Sequence, residues 1–177
     1  MNIMLNDLYT PLPEITPMTL ALVASRDRKE NRTTQVVEED TEYIVQTHTS
    51  RLIDQSCKYF GSSLKGRQEG TREICGITYK APITINPSSG MYFFPTNSPS
   101  NSNCCWIAHS HIDQVNQAQT SGTEITFKNG KKIFITTSYG IVLNQIQRTA
   151  QYRYLLDKRL QFLQKHHADR VAESPFS

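Results

Sequence analysis

The stretch Thr123-Glu124-Ile125-Thr126-Phe127-Lys128-Asn129-Gly130-Lys131-Lys132-Ile133-Phe134-Ile135 decides the fold class. Two runs rich in β-branched and aromatic residues, 123–127 and 131–135, flank Asn129-Gly130, the dipeptide that most readily supplies the positive φ angles of a tight hairpin turn. The reading is a β-hairpin. Runs of the same kind recur upstream: residues 19–25, 35–37 and 43–46, divided by the charged turn-like segments 26–32 and 38–42, then 72–79, 82–85 and 91–94, the last two joined by the turn Asn86-Pro87-Ser88-Ser89-Gly90. Residues 104–112 read as a buried strand and the polar stretch 96–103 as a loop.

Two helices interrupt this pattern. Ser50 is placed to cap the first, whose apolar residues Ile53, Cys57, Phe60 and Leu64 recur at helical spacing before Gly61 closes or bends it. The second is long: residues 138–167 contain no proline, and Val142, Ile146, Thr149, Arg153, Leu156, Leu160 and Leu163 alternate steps of four and three. The expected fold class is therefore α+β: a mainly antiparallel β-sheet domain with a short central helix and a long C-terminal helix. Residues 1–17, broken by Pro11, Pro13 and Pro17, are expected to form an extended arm whose Leu5, Leu8 and Tyr9 could dock. Residues 18–137 form the β-rich domain, 138–168 the C-terminal helix, folded on that domain or used in a dimer contact, and 169–177 a flexible tail.

The 177 residues are one domain's worth of chain, and 37% hydrophobic with 9% aromatic content excludes wholesale disorder. The longest apolar runs, 20–24 and 91–94, are far short of the ~18–20 residues that cross a bilayer, so no membrane partner is expected. Residues 1–7 place no basic residue ahead of a hydrophobic run, and Cys57, Cys75, Cys104 and Cys105 form no C-x-x-C pair. A reducing, cytoplasmic location is expected.

Net charge is +3 and unevenly placed: −4 over residues 1–50, +3 over 51–80, −2 over 81–127 and +7 over 128–170. Basic blocks behind an acidic front suit a chain with one surface turned to a polyanion, or one with a merely soluble, lysine-rich surface. Phe60-Gly61-Ser62-Ser63-Leu64-Lys65-Gly66-Arg67-Gln68-Glu69-Gly70-Thr71-Arg72 carries three glycines, two serines and three cations. Read as a flexible loop, it brings hydroxyls, amides and cations to phosphate oxygens and can pass an arginine into a narrow groove; it is not a P-loop. Lys128, Lys131 and Lys132 surround the hairpin tip, and Arg148, Arg153, Lys158, Arg159 and Lys165 lie on the long helix. The candidate DNA contacts are Arg51, Lys58, Ser62, Ser63, Lys65, Arg67, Arg72, Lys128, Lys131, Lys132 and Arg148. In Cys104-Cys105-Trp106-Ile107-Ala108-His109-Ser110-His111 two histidines one residue apart fall on one side of a strand and have the right chemistry for a divalent metal. The further ligands of a JAMM-type site are replaced by Gln119 and Gly122, and a cupin's Glu is missing at Val115 and Asn116, so a metal-dependent hydrolase centred on His109 and His111 is the alternative reading and no metal is expected.

Ser56-Cys57-Lys58-Tyr59-Phe60-Gly61-Ser62-Ser63, followed by Gly66-Arg67 and Gly70-Thr71, resembles the central signature of the ComK family of competence transcription factors. Matching strings continue in order: Pro82-Ile83, Asn86-Pro87-Ser88, Phe94-Pro95-Thr96, Cys105-Trp106-Ile107 with His109 and His111, Thr123-Glu124 before Phe127 and Asn129-Gly130-Lys131, and Gln147-Arg148-Thr149-Ala150. The resemblance spans roughly residues 34–153. It implies an activator of DNA-uptake genes that binds paired A/T-rich boxes on double-stranded DNA through the minor groove as a homo-oligomer, with no cofactor and no catalysis. In that family an aromatic-Met-Leu-Tyr-Pro string near the C-terminus serves delivery to the Clp protease by an adaptor, a candidate partner; residues 170–177 here lack that string.

Overall fold

The computed structural model describes residues 11–172. Six strands form the central sheet: β1 (Thr19–Arg26), β2 (Arg32–Glu38), β3 (Glu42–Val45), β4 (Ile83–Asn86), β5 (Met91–Pro95) and β6 (Trp106–Ala108), in the spatial order β3-β2-β1-β6-β5-β4. Two antiparallel meanders are thus joined where β1 pairs with β6, Ala21 opposite Ile107 and Leu22 opposite Trp106. The chain crosses from the β3 edge to the β4 edge through two helices, α1 (Thr49–Tyr59) and α2 (Leu64–Cys75). A second, three-stranded sheet, β7 (Ile112–Gln117), β8 (Thr123–Phe127) and β9 (Lys132–Ile135), precedes α3 (Tyr139–Ala172).

Strand alternation sends side chains to two cores, one on each face of the six-stranded sheet. Leu22, Val36, Ile83, Ile85, Met91, Phe93 and Trp106 meet Leu52, Ile53 and Cys57 of α1 in the first. Leu20, Ala21, Val37, Phe94 and Ile107 meet Ile125, Phe127, Ile133 and Ile135 of the small sheet, with Val142 of α3, in the second. Leu20 and Ala21 are neighbours in sequence yet share the second core, because a register shift between Thr19 and Ala21 inserts an extra residue into β1. The β7–β8 turn places Gly122 at φ +89, and a Cβ there would stand 2.3 Å from the Ile135 carbonyl oxygen, so only glycine fits.

The fold class matches the sequence reading, and so do the β8–β9 hairpin and strands β1 to β5. Three local readings are corrected. The first helix is capped by His48, whose Nδ1 accepts from Ser50 N–H, and ends at Tyr59 before Gly61 at φ +79; Phe60 and Leu64 do not continue it. The expected loop 60–72 and strand 72–79 give way to α2, capped by the Ser63 hydroxyl accepting from Gly66 N–H and stopped by Gly76 in the left-handed region. The expected strand 104–112 is only Trp106–Ala108 long, and His109–His111 form a single 3-10 turn leading into β7.

Residues 11–18 carry no regular structure, but Ile15 is buried in the first core and Leu12 packs against it. The proposed docking of Leu5, Leu8 and Tyr9 lies outside the described residues, as does the end of the tail. Helix α3 runs four residues past the expected end at 168. Among the described residues no helix is long and apolar enough to cross a membrane.

Candidate nucleic-acid interface

The arrangement of the cations depends on how α1 and α2 are joined. Asp54 of α1 accepts from the Leu64 N–H at 2.9 Å and pairs with Lys58 at 2.8 Å, so one carboxylate holds the 60–63 turn and neutralises the lysine one helical turn along. Arg51, on the first turn of α1, is exposed. On α2, Lys65 and Arg72 are exposed. Arg67 is half-buried, its Nη2 donating to the Ile85 carbonyl at 3.2 Å and its Nε buried without a partner among the described residues. A guanidinium in that position ties α2 to β4. The Ser63 hydroxyl is occupied as a helix cap, and Ser62 is half-buried beside it.

Lys128 is exposed at the hairpin tip, without a carboxylate within ion-pair distance among the described residues. Lys131 donates to the Glu38 carbonyl at 2.8 Å and Asn129 Nδ2 to the Glu39 carbonyl at 3.1 Å, which pins the tip to the β2–β3 turn. Lys132 pairs with Glu124 at 3.2 Å. On α3, Arg148 donates to the Tyr79 carbonyl and to Gln145 Oε1, and Arg153 donates to Ser110 Oγ at 2.7 Å while lying over the Tyr92 ring. Arg159, Lys165 and Arg170 are exposed. Of the candidate contacts, Arg51, Lys65, Arg72 and Lys128 are thus exposed and without an ion-pair partner among the described residues, Lys58 and Lys132 are exposed within ion pairs, and Arg67, Lys131 and Arg148 are tied to backbone carbonyls.

The 3-10 turn separates the two histidines that a strand would have aligned. His111 Nε2 donates to the Pro17 carbonyl at 2.6 Å, and its Nδ1 lies 3.5 Å from Glu39. His109 sits toward α3, where burial, with the charges of Arg153 and Lys128 adding to it, holds its imidazole below the usual value, so it is neutral at pH 7. Its Nδ1 is buried without a partner among the described residues. No group of three or more His, Cys, Asp or Glu side chains able to hold a metal occurs among the described residues.

The family model described as ComK protein matches residues 12–161, which takes in both sheets, both crossover helices and the first two thirds of α3. The chain belongs to the ComK protein family. A protein of Bacillus subtilis (strain 168) named competence transcription factor is 36% identical to this ComK-family chain over 126 residues. That match covers 71% of the chain and 66% of the relative, slightly under two thirds of the relative's length. No solved structure matches the chain.

Proposed function

We propose that this ComK-family protein is a DNA-binding transcriptional activator of DNA-uptake genes that recognises A/T-rich promoter boxes through the minor groove, without a cofactor and without catalysis. The observation that carries the reading is the family membership and the competence transcription factor among its relatives, joined to exposed cations on α1, α2 and the β8–β9 tip that have no ion-pair partner among the described residues. A/T tracts narrow the minor groove and deepen its negative potential, so cations on short, rigid elements gain there while few base-edge hydrogen bonds are needed. Arg51, Lys65, Arg72 and Lys128 are the contacts proposed to carry most of the affinity. Arg67 and Arg148 hold the elements that present them.

Affinity for an A/T-rich duplex is expected to fall linearly with the logarithm of salt, by about 0.9 units of slope per phosphate contact, and Lys65→Ala with Arg72→Ala to flatten that slope by about 2. Fluorescence anisotropy checks this. A slope identical in the double variant places α2 outside the interface.

The protein is further proposed to act as a homo-oligomer through α3. Val142, Thr149 and Tyr152 are buried in the body, Leu156 and Leu160 are half-covered, and every residue from Gln161 to Ala172 is exposed, with Leu163 64% accessible. A helix of this kind leaves an apolar stripe that a second copy would cover. Leu163→Glu is expected to lower the sedimentation mass without lowering the melting temperature. A wild type that sediments as one chain, free and on two-box DNA, contradicts the assignment.

A further inference from the structure

The charge count over residues 1–50 conceals a local excess of cations, because the acids of that block lie mainly elsewhere. The β1–β2 turn reads Arg26-Asp27-Arg28-Lys29-Glu30-Asn31-Arg32, four cations against two acids. Asp27 caps the turn itself: one oxygen accepts from the N–H groups of Lys29 and Asn31, the other from Asn31 Nδ2, and the turn keeps a net charge of +2. Glu30 lies 3.9 Å from Arg26, which also donates to the Glu30 carbonyl. Arg28, Lys29 and Arg32 are exposed, and none has a carboxylate within ion-pair distance among the described residues.

The last rung of the hairpin sets Arg26 directly opposite Arg32. Like charges facing one another across antiparallel strands are destabilising; Glu30 offsets the charge of Arg26, whereas Arg32 has no carboxylate within ion-pair distance among the described residues. An external polyanion relieves it.

The turn is also joined to the 96–103 loop, which in its turn holds the start of α1. Arg26 Nη2 donates to Ser102 Oγ at 3.3 Å, His48 Nε2 donates to the Asn101 carbonyl at 3.0 Å, and Ser50 Oγ donates to the Pro99 carbonyl at 2.6 Å. Burial lowers the proton affinity of His48, and the Arg32 charge is near enough to lower it further. Arg51 follows on the first turn of the helix. The loop contains no charged residue, and Asn101 and Asn103 are exposed, their side-chain amides free of any hydrogen-bond acceptor among the described residues. Asparagine amides and arginines are the groups that meet the acceptors on the floor of a minor groove. None of the large exposed hydrophobic residues lies in the turn or the loop, so the apolar anchor of a protein interface is missing.

We propose that the β1–β2 turn and the 96–103 loop form a second DNA-contacting surface continuous with Arg51, in which Arg28, Lys29 and Arg32 hold phosphates and Asn101 and Asn103 approach base edges. The proposal rests on the DNA-binding reading above. It adds a contact at the β1–β2 end of the sheet, whereas the β8–β9 tip is pinned at the β2–β3 end.

The test compares the wild type with Arg28→Ala/Lys29→Ala/Arg32→Ala on one A/T-rich duplex at several salt concentrations. The variant is expected to flatten the salt slope by about 2.7, so that a fourfold rise in salt costs the wild type about 40-fold more affinity than the variant. Its melting temperature should equal or exceed that of the wild type. Should the triple variant not fold, Arg28→Glu/Lys29→Glu, confined to the solvent side of the turn, is expected to weaken binding at least tenfold. A wild type that binds and variants with unchanged slope and affinity overturn this surface alone, and so do variants that keep the DNA slope but lose retention on poly-glutamate, which assigns it to an acidic protein. A wild type that binds no DNA overturns the parent reading together with this one.

Discussion

Trp106→Ala will lower the free energy of unfolding by about 3–5 kcal/mol. Trp106 is fully buried on β6, the strand that joins the two meanders, and lies among the residues of the first core. Its indole Nε1 donates to Ser50 Oγ at 3.1 Å, and that hydroxyl in turn donates to the Pro99 carbonyl. Truncation therefore opens a cavity at the centre of the sheet and loosens the start of α1 and the 96–103 loop together. In a domain stable by about 5–15 kcal/mol this is a large fraction of the whole. Urea unfolding should show a lower midpoint with an unchanged m-value, and Trp106→Phe should lose less. A loss below about 1 kcal/mol would place the main core elsewhere.

Gln145→Leu comes next in expected size. Gln145 is 1% exposed, and its Nε2 donates to the Lys80 carbonyl at 2.9 Å and the Pro95 carbonyl at 2.6 Å while its Oε1 accepts from Arg148. Leucine fills the same space but removes the donor from both carbonyls, at about 1–3 kcal/mol for each buried group left unpaired, and takes one acceptor from Arg148, which keeps the Tyr79 carbonyl. Because Gln145 fastens the first third of α3 to the chain on either side of β4 and β5, the amides of α3 should lose hydrogen-exchange protection first. Protection lost uniformly across the chain would mean that α3 does not dock as a separate unit.

The β8–β9 hairpin was legible because Asn129-Gly130 announces its turn chemically and both flanking strands keep a period of two. Helix α2 was not, for a physical reason. Gly66 and Gly70 each cost about 1 kcal/mol against alanine in a helix, and its inner face offers Thr71 and the Arg67 stem where a periodic pattern would show leucines. Packing against α1, β4 and α3 overrides that propensity. Strand β7 was hidden by a register shift between Ile112 and Gln114, which turns Ile112 and Val115, three residues apart, toward the same core. Among the candidate contacts, residue type was readable and pairing was not. Lys58 with Asp54 sits at ordinary helical spacing, whereas Lys132 with Glu124, Lys131 with the Glu38 carbonyl and Arg148 with the Tyr79 carbonyl need the fold before they can be seen. The cations of the β1–β2 turn were averaged away by counting charge over fifty residues.

Minor-groove recognition of A/T-rich DNA is tested most directly by exchanging every A·T pair of a bound box for inosine·cytosine, and in a parallel duplex for G·C. Inosine lacks the 2-amino group, so the first exchange keeps the acceptor-only minor groove of A·T while giving the major groove the pattern of G·C. The account predicts that the inosine·cytosine box is bound nearly as well as the original and that the G·C box is bound at least about tenfold more weakly. Equal weakening on both exchanged boxes would contradict it.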